Sequence, residues 1–303
     1  MQTIAIMMKI MNTGTVNIKP SYIVDVRCEK CFLKSYKRLF EKFNVNEYLQ
    51  QEFIAFFKEK ISTSNHLSSP EFQPLLHNKF CNLIKVSDPY SEEKKLSNDI
   101  ALGLYAEWKP KVLVSENPFV LALKLAIAAN IMDYGANNSF DIHETIETVF
   151  TSSFAIDHSK QLQKLIKQAK RILYLGDNAG EIVFDRLFIE TMMHNDIIYA
   201  VKEYPVLNDV TIEDAEYVGM NLVADVISNG YNAPSTVLHK CSKEFIDVYN
   251  SADLIISKGQ GNYEGLMNEN NSRIFFLMMV KCDVIAEKLN VEKGSFIVYN
   301  HSE

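Results

Sequence analysis

The sequence predicts an α/β protein: a mainly helical amino-terminal part, residues 1–165, followed by an α/β/α core with a mostly parallel sheet, residues 166–303. Three observations carry this. Apolar residues recur at helical spacing through the first half. The second half holds short, wholly apolar runs separated by segments of helical length. Each of those runs ends in a polar cluster, where the carboxyl end of a parallel strand would lie.

With 303 residues the chain exceeds the roughly 250–300 at which single cores stop growing, so two subdomains are expected. A 47% hydrophobic and 23% charged composition excludes disorder and fibrous repeats. The net charge of −7 argues against broad nucleic-acid binding, leaving only a local positive pocket for an anion. The opening MQTIAIMMKIMNTG has neither a basic leader nor a small-residue cleavage site, and five cysteines is an odd count in a chain too large to need disulfides. A cytoplasmic, non-membrane protein is expected.

In the first half, EKCFLKSYKRLFEKF (29–43) places Phe32, Tyr36, Leu39 and Phe40 on one helix face, and NEYLQQEFIAFFKEKI does the same with Tyr48, Phe53, Ile54 and Phe57. STSNHLSSPEFQP reads as a surface loop, and DPYSEEKKLSND (88–99) as a turn feeding another helix. PFVLALKLAIAANIMDY is interrupted by Lys124, Asn130 and Asp133 and falls short of a span of about 20 residues, so it reads as a buried helix.

The strands of the second half are ILYL (172–175), IIYAV (197–201), VADVI (223–227), DLIIS (253–257) and IFFLMMV (274–280). They lead to Asp177-Asn178, VKEYPVLNDVT, SNGYNAPST, SKGQGNYE and Lys281. In open α/β sheets such loops converge on one crevice. Asp177, Asn178 and Asp209 are hard oxygen donors suited to a divalent ion such as Mg²⁺ or Mn²⁺, and no nearby His or Cys cluster favours zinc. Lys258 with Gly259 and Gly261, and the amides after Gly180, could cradle phosphate. Each piece has a plainer reading: Asp177-Asn178 as a helix N-cap before Glu181, Asp209 as a cap for TIEDAEYVG, and Lys258 and Lys281 as solvated lysines. Their common position at strand ends favours a site.

GDNAGE (176–181), NDVT (208–211) and SKGQGNYE (257–264) resemble signatures of the metal-dependent damage-control phosphatases, and DPY, AANIMDYG and VKCDVIA resemble further segments of that family. CEKC (28–31) resembles the branch with an amino-terminal Cys-x-x-Cys. The resemblance implies a Rossmann-like core and hydrolysis of small phosphorylated metabolites, sugar phosphates or phosphopantetheine derivatives, with Mn²⁺, Co²⁺, Ni²⁺ or Mg²⁺ as cofactor. It implies metal ligation by Asp177, Asn178 and Asp209, with Asp177 and Asp209 catalytic, and phosphate contacts from Lys258, Gly259, Asn262 and Lys281. Glu181, Asn130, Asp133 and Lys202 are accessory candidates. Lys202-Glu203-Tyr204 stands where an arginine-glycine pair is expected, and Ser235 where a glycine is usual.

Asp177 is the expected nucleophile or the base that orients water. Cys28 and Cys31 could form a redox pair, half a metal site or two structural thiols on the first helix; the structural role is favoured, because the second pair of a standard zinc site is missing. A methyltransferase ranks lower, since GDNAGE lacks repeated glycines. A sensor that binds phosphometabolites without turnover is the alternative from another class.

Overall fold

The computed structural model describes residues 24–64, 67–130 and 152–301. Helix α1 (Val26–Lys42) is capped by the Asp25 side chain and buries Phe32, Tyr36, Leu39 and Phe40, the stripe expected from spacing. Helix α2 (Glu47–Thr63) starts from the Asn46 cap and buries Phe53 and Phe57. One expectation is corrected here: SPEFQP is not a surface loop but the first turns of α3 (Ser69–Ile84). Ser68 and Glu71 form a capping box and Pro70 sits in the first turn, where its missing N–H costs nothing. The three helices close on an aromatic cluster in which Tyr36 lies 4.5 Å from Phe53 and 5.7 Å from Phe80, ring centre to ring centre.

Helices α4 (Ser91–Leu113) and α5 (Pro118–Ala128) leave that cluster and pack on the sheet. The DPY segment does feed a helix, and α5 is buried along its length as its composition requires. Among the described residues no helix is long and apolar enough to cross a membrane. Then follow β1 (Ile156–Asp157), α6 (Ser159–Gln168), β2 (Ile172–Leu175), α7 (Glu181–Met192), β3 (Ile197–Val201), α8 (Ile212–Tyr217), β4 (Asp225–Ser228), α9 (Lys243–Ser251), β5 (Leu254–Lys258), α10 (Gly259–Leu266), β6 (Ile274–Met279), α11 (Asp283–Leu289) and β7 (Phe296–Asn300).

The seven strands are ordered β1-β7-β6-β5-β2-β3-β4, and every pair is parallel except β6–β7. All five strands expected from sequence are present. Two were not expected: β1, too short for a pattern, and β7, whose run FIVYN shows no sharp boundary. The sheet's first strand therefore lies ahead of residue 166, and α6 runs across it.

Successive strand residues point to opposite faces. Ile172, Tyr174, Tyr199 and Ile256 face a core shared with α4, α5 and α7, while Leu173, Leu175, Ile198 and Ile255 face α9, α10 and α11. Both faces are covered, which is why the strands read as unbroken apolar runs. The connection from β2 runs outward to β3, whereas β5 lies on the other side of β2. This reversal is a topological switch point, and the loops after β2 and β5 border its crevice.

Candidate metal and phosphate site

Strand β2 stops at Gly176 because its continuation pairs with the loop after β3. Ala179 N–H donates to the Asn208 carbonyl and Val210 N–H to the Asp177 carbonyl, both at 2.9 Å, so Asn178 and Asp209 face each other in an isolated antiparallel bridge. Gly180, at φ +78°, then turns the chain into α7. The plainer readings give way here. Gly180 holds the N-cap position of α7 without a side-chain cap bond, and the cap of α8 is Thr211, in a capping box with Asp214.

Three oxygen-bearing side chains thus converge, two of them buried carboxylates: Asp177 is 6% and Asp209 2% exposed. Asn130, at the end of the helical part, donates to Asp177 Oδ2 at 2.9 Å and also to Glu181 Oε2. Asn178 donates to the same Asp177 oxygen at 3.0 Å. Among the described residues Asp209 Oδ2 is buried and accepts no hydrogen bond; Lys202 Nζ pairs with it at 3.6 Å. Burial raises the Asp177 carboxyl above its usual range and the Glu181 charge adds to this, while Lys281, Lys202 and the Asn130 bond oppose it. Burial likewise lifts Asp209 well above the usual range against the pull of Lys202, and the Asp177 charge reinforces the rise.

Two converging buried carboxylates, one with an oxygen that lacks a hydrogen bond, are relieved by a further cation. Among the described residues no three His, Cys, Asp or Glu side chains are grouped to hold a metal; the third donor here is an asparagine amide. The residues fit a hard divalent ion bound through oxygen.

Lys258 differs from expectation. It is fully buried beneath the carboxylates, and its ammonium donates to Glu181 and Asp185, both at 2.5 Å, and to the Ala126 carbonyl of α5 at 3.0 Å. Three acceptors take its three protons, leaving none for phosphate. Burial alone would lower its pKa, but the Asp185 and Glu181 charges outweigh it and the net shift is upward. Tyr174 and Tyr199 both donate to Asp185, at 2.8 and 2.9 Å. Burial pushes that carboxyl up to about 6.

Asn262 is saturated in the same way. Its amide nitrogen donates to the carbonyls of Gly176 and Lys258, and its oxygen accepts from Lys202 and Thr236. It positions Lys202 from below. Gly261 is required by packing, since a β-carbon there would lie 2.1 Å from the Pro234 carbonyl. The Ala179 and Gly180 amides are already spent, the latter on Asn98. Lys281 is the exposed lysine whose charge reaches Asp177. Asp133 lies outside the described residues.

Sequence reasoning missed Asp185, although a second acid four residues after Glu181, on the same face of a largely buried helix, was a usable signal. Lys94, Asn98 and Asp214, which brace the site from behind, carried no sequence signal. Cys28 and Cys31 are free thiols; burial, then the Glu264 charge, pushes Cys28 up to about 11. Burial, then the Cys282 charge, raises Cys31. Reactive redox pairs have lowered pKa values.

This is a doubly wound α/β protein with an oxygen-donor site at its switch point. The chain belongs to the family of the damage-control phosphatase ARMT1-like domain, which matches residues 24–297. It is 39% identical over 214 residues to the damage-control phosphatase PH1575 of Pyrococcus horikoshii, covering 69% of this chain and 74% of that one. It is 29% identical over 252 residues to a damage-control phosphatase of Archaeoglobus fulgidus, covering 78% and 85%. The crystal structure of the P. horikoshii protein, described as a DUF89 family protein, superposes with a TM-score of 0.85 at 31% identity, over 92% of this chain and 99% of that one.

Proposed function

We propose that this chain is a metal-dependent phosphatase acting on small phosphorylated metabolites, sugar phosphates or phosphopantetheine-like compounds, in cytoplasmic metabolite repair. The observation that carries the reading is the meeting of Asp177, Asn178 and Asp209 around a buried carboxylate oxygen that accepts no hydrogen bond from the described residues. Family membership and the names of the archaeal relatives support it.

Asp177, Asn178 and Asp209 would hold a divalent ion. When bound, the ion supplies Lewis-acid polarisation of a phosphoryl oxygen, an effect worth several kcal/mol. Lys281, exposed at the end of β6, draws in the phosphate dianion and holds it near Asp177. Lys202, steadied by Asn262, balances the Asp209 charge. Both amide donors to Asp177 bond one oxygen, Oδ2, so the other acts at the reacting centre, either on phosphorus or on the attacking water. Glu181, Asp185 and Lys258 form a rigid floor, and Lys258 ties it to α5 through Ala126. Asn130 brings the helical part over the crevice and excludes water from the Asp177 side.

The test is inorganic phosphate release from a panel of sugar phosphates and phosphopantetheine derivatives with Mn²⁺, Co²⁺, Ni²⁺ or Mg²⁺, each repeated with chelator. Metal-dependent release supports the reading; no release from any compound by a folded, metal-binding chain favours the non-catalytic sensor.

A further inference from the structure

The two loops that carry the oxygen donors are joined at the site by their bridge, and joined again behind it by one side chain of the helical part. Asn98 of α4 is fully buried. Its amide oxygen accepts the Gly180 N–H at 2.7 Å, and its amide nitrogen donates to Asp214 Oδ1 at 3.2 Å. Gly180 lies two residues after Asn178, and Asp214 is the capping-box partner of Thr211, two residues after Asp209. Asp214 Oδ2 accepts from Thr211 N–H and Oγ1, both at 2.9 Å, and pairs with Lys94 Nζ at 2.7 Å. Lys94 and Asn98 are one turn apart on α4, so one helix face meets both loops.

We infer that Asn98 is a positioning residue for the metal-binding oxygens: its amide fixes the distance between the Asn178 and Asp209 loops. The inference rests on the metal-site reading above. The chemistry demands an amide at this position. A neighbour that accepts from Gly180 and donates to Asp214 needs one acceptor and one donor on the same short side chain, and only asparagine offers both at that length. Aspartate would keep the Gly180 bond and set a carboxylate against Asp214. Leucine would lose both bonds and leave a buried N–H unpaired. Groups that orient metal ligands from behind typically change metal affinity by about 10–100-fold when removed.

The test is Mn²⁺ titration by calorimetry of the native chain, Asn98→Asp, Asn98→Leu and the double exchange Asn98→Asp/Asp214→Asn, each shown to be folded by metal-free thermal unfolding. The double exchange reverses donor and acceptor across the same bond and conserves charge. The expected result is binding weakened about 10–100-fold in Asn98→Asp and largely restored in the double exchange. Asn98→Leu is the more disruptive variant, and if it does not fold the exchange pair decides alone. A folded Asn98→Asp chain with native Mn²⁺ affinity, or a double exchange no better than the single change, overturns the inference and leaves the metal site standing. Absence of Mn²⁺ binding by the native chain overturns the metal-site reading and the inference with it.

Discussion

A β-carbon on Gly259 would lie 1.9 Å from Asp177 Oδ2, so the first residue of α10 is pressed against the carboxylate at the end of β2. Gly259 also sits at φ +77°, a backbone conformation that side chains resist. Its place in the site is to give Asp177 room. Gly259→Ala should fold at a cost of about 1–3 kcal/mol while displacing Asp177. Phosphate release should fall by about 100-fold, as expected for a misplacement near 1 Å. Circular dichroism beside the release assay separates the two effects, and near-native activity would show that Asp177 tolerates the shift.

Lys258 is the cation of a buried triad, so its loss leaves Glu181 and Asp185 without compensation. Lys258→Met should destabilise the fold by about 3–5 kcal/mol. Adding Glu181→Gln and Asp185→Asn should recover part of it. Urea midpoints of the single and triple variants measure this, and an unchanged midpoint in Lys258→Met would mean that the triad does not stabilise the floor.

Lys281 stands apart from that floor. Lys281→Ala should raise KM about tenfold with kcat nearly unchanged, the pattern of lost uniform binding. The salt dependence of kcat/KM should flatten in the same variant, because an exposed steering charge is the most readily screened. A fall in kcat at constant KM would instead place Lys281 in the chemical step.

His77 of α3 is buried, with Nε2 3.5 Å from Cys81 Sγ. Burial holds its pKa below 6.5, against the opposing charge of Asp88. The unfolded chain therefore takes up this proton at a higher pH than the folded one. The contribution is complete above about 6.5 and is lost as pH falls toward the depressed value, with a slope of at most about 1.4 kcal/mol per pH unit. Asp185 acts in the opposite sense: raised to about 6, its contribution is present at low pH and fades as pH rises through that value. The discriminating quantity is the difference between native and His77→Gln stabilities by urea unfolding at pH 7.5 and 5.5. His77→Gln should lose less on acidification; equal losses would remove His77 as the cause.

The central strands were legible because burial on both faces imposes unbroken apolar runs, so ILYL and IIYAV coincide with β2 and β3. The edges were not. A two-residue strand such as β1 has no period, and α3 begins in residues that favour turns until Ser68 and Glu71 cap each other. At the site, residue types at strand ends announced Asp177, Asn178 and Asp209, but a lysine's surroundings are a tertiary matter. Lys258 and Lys281 look alike in sequence, yet one is enclosed by two acids and the other is exposed. Asn98 was illegible because its meaning comes from two loops more than 80 residues away in the chain.

The most direct measurement is inorganic phosphate release with Mn²⁺ by the native chain beside Asp177→Asn and Asp209→Asn, two near-isosteric changes that remove charge from the oxygen set. Chelator-sensitive release by the native chain and a loss of about 100-fold or more in each folded variant are expected. Release that persists at native rates in both variants, or that ignores chelator, would contradict the metal-dependent phosphatase reading.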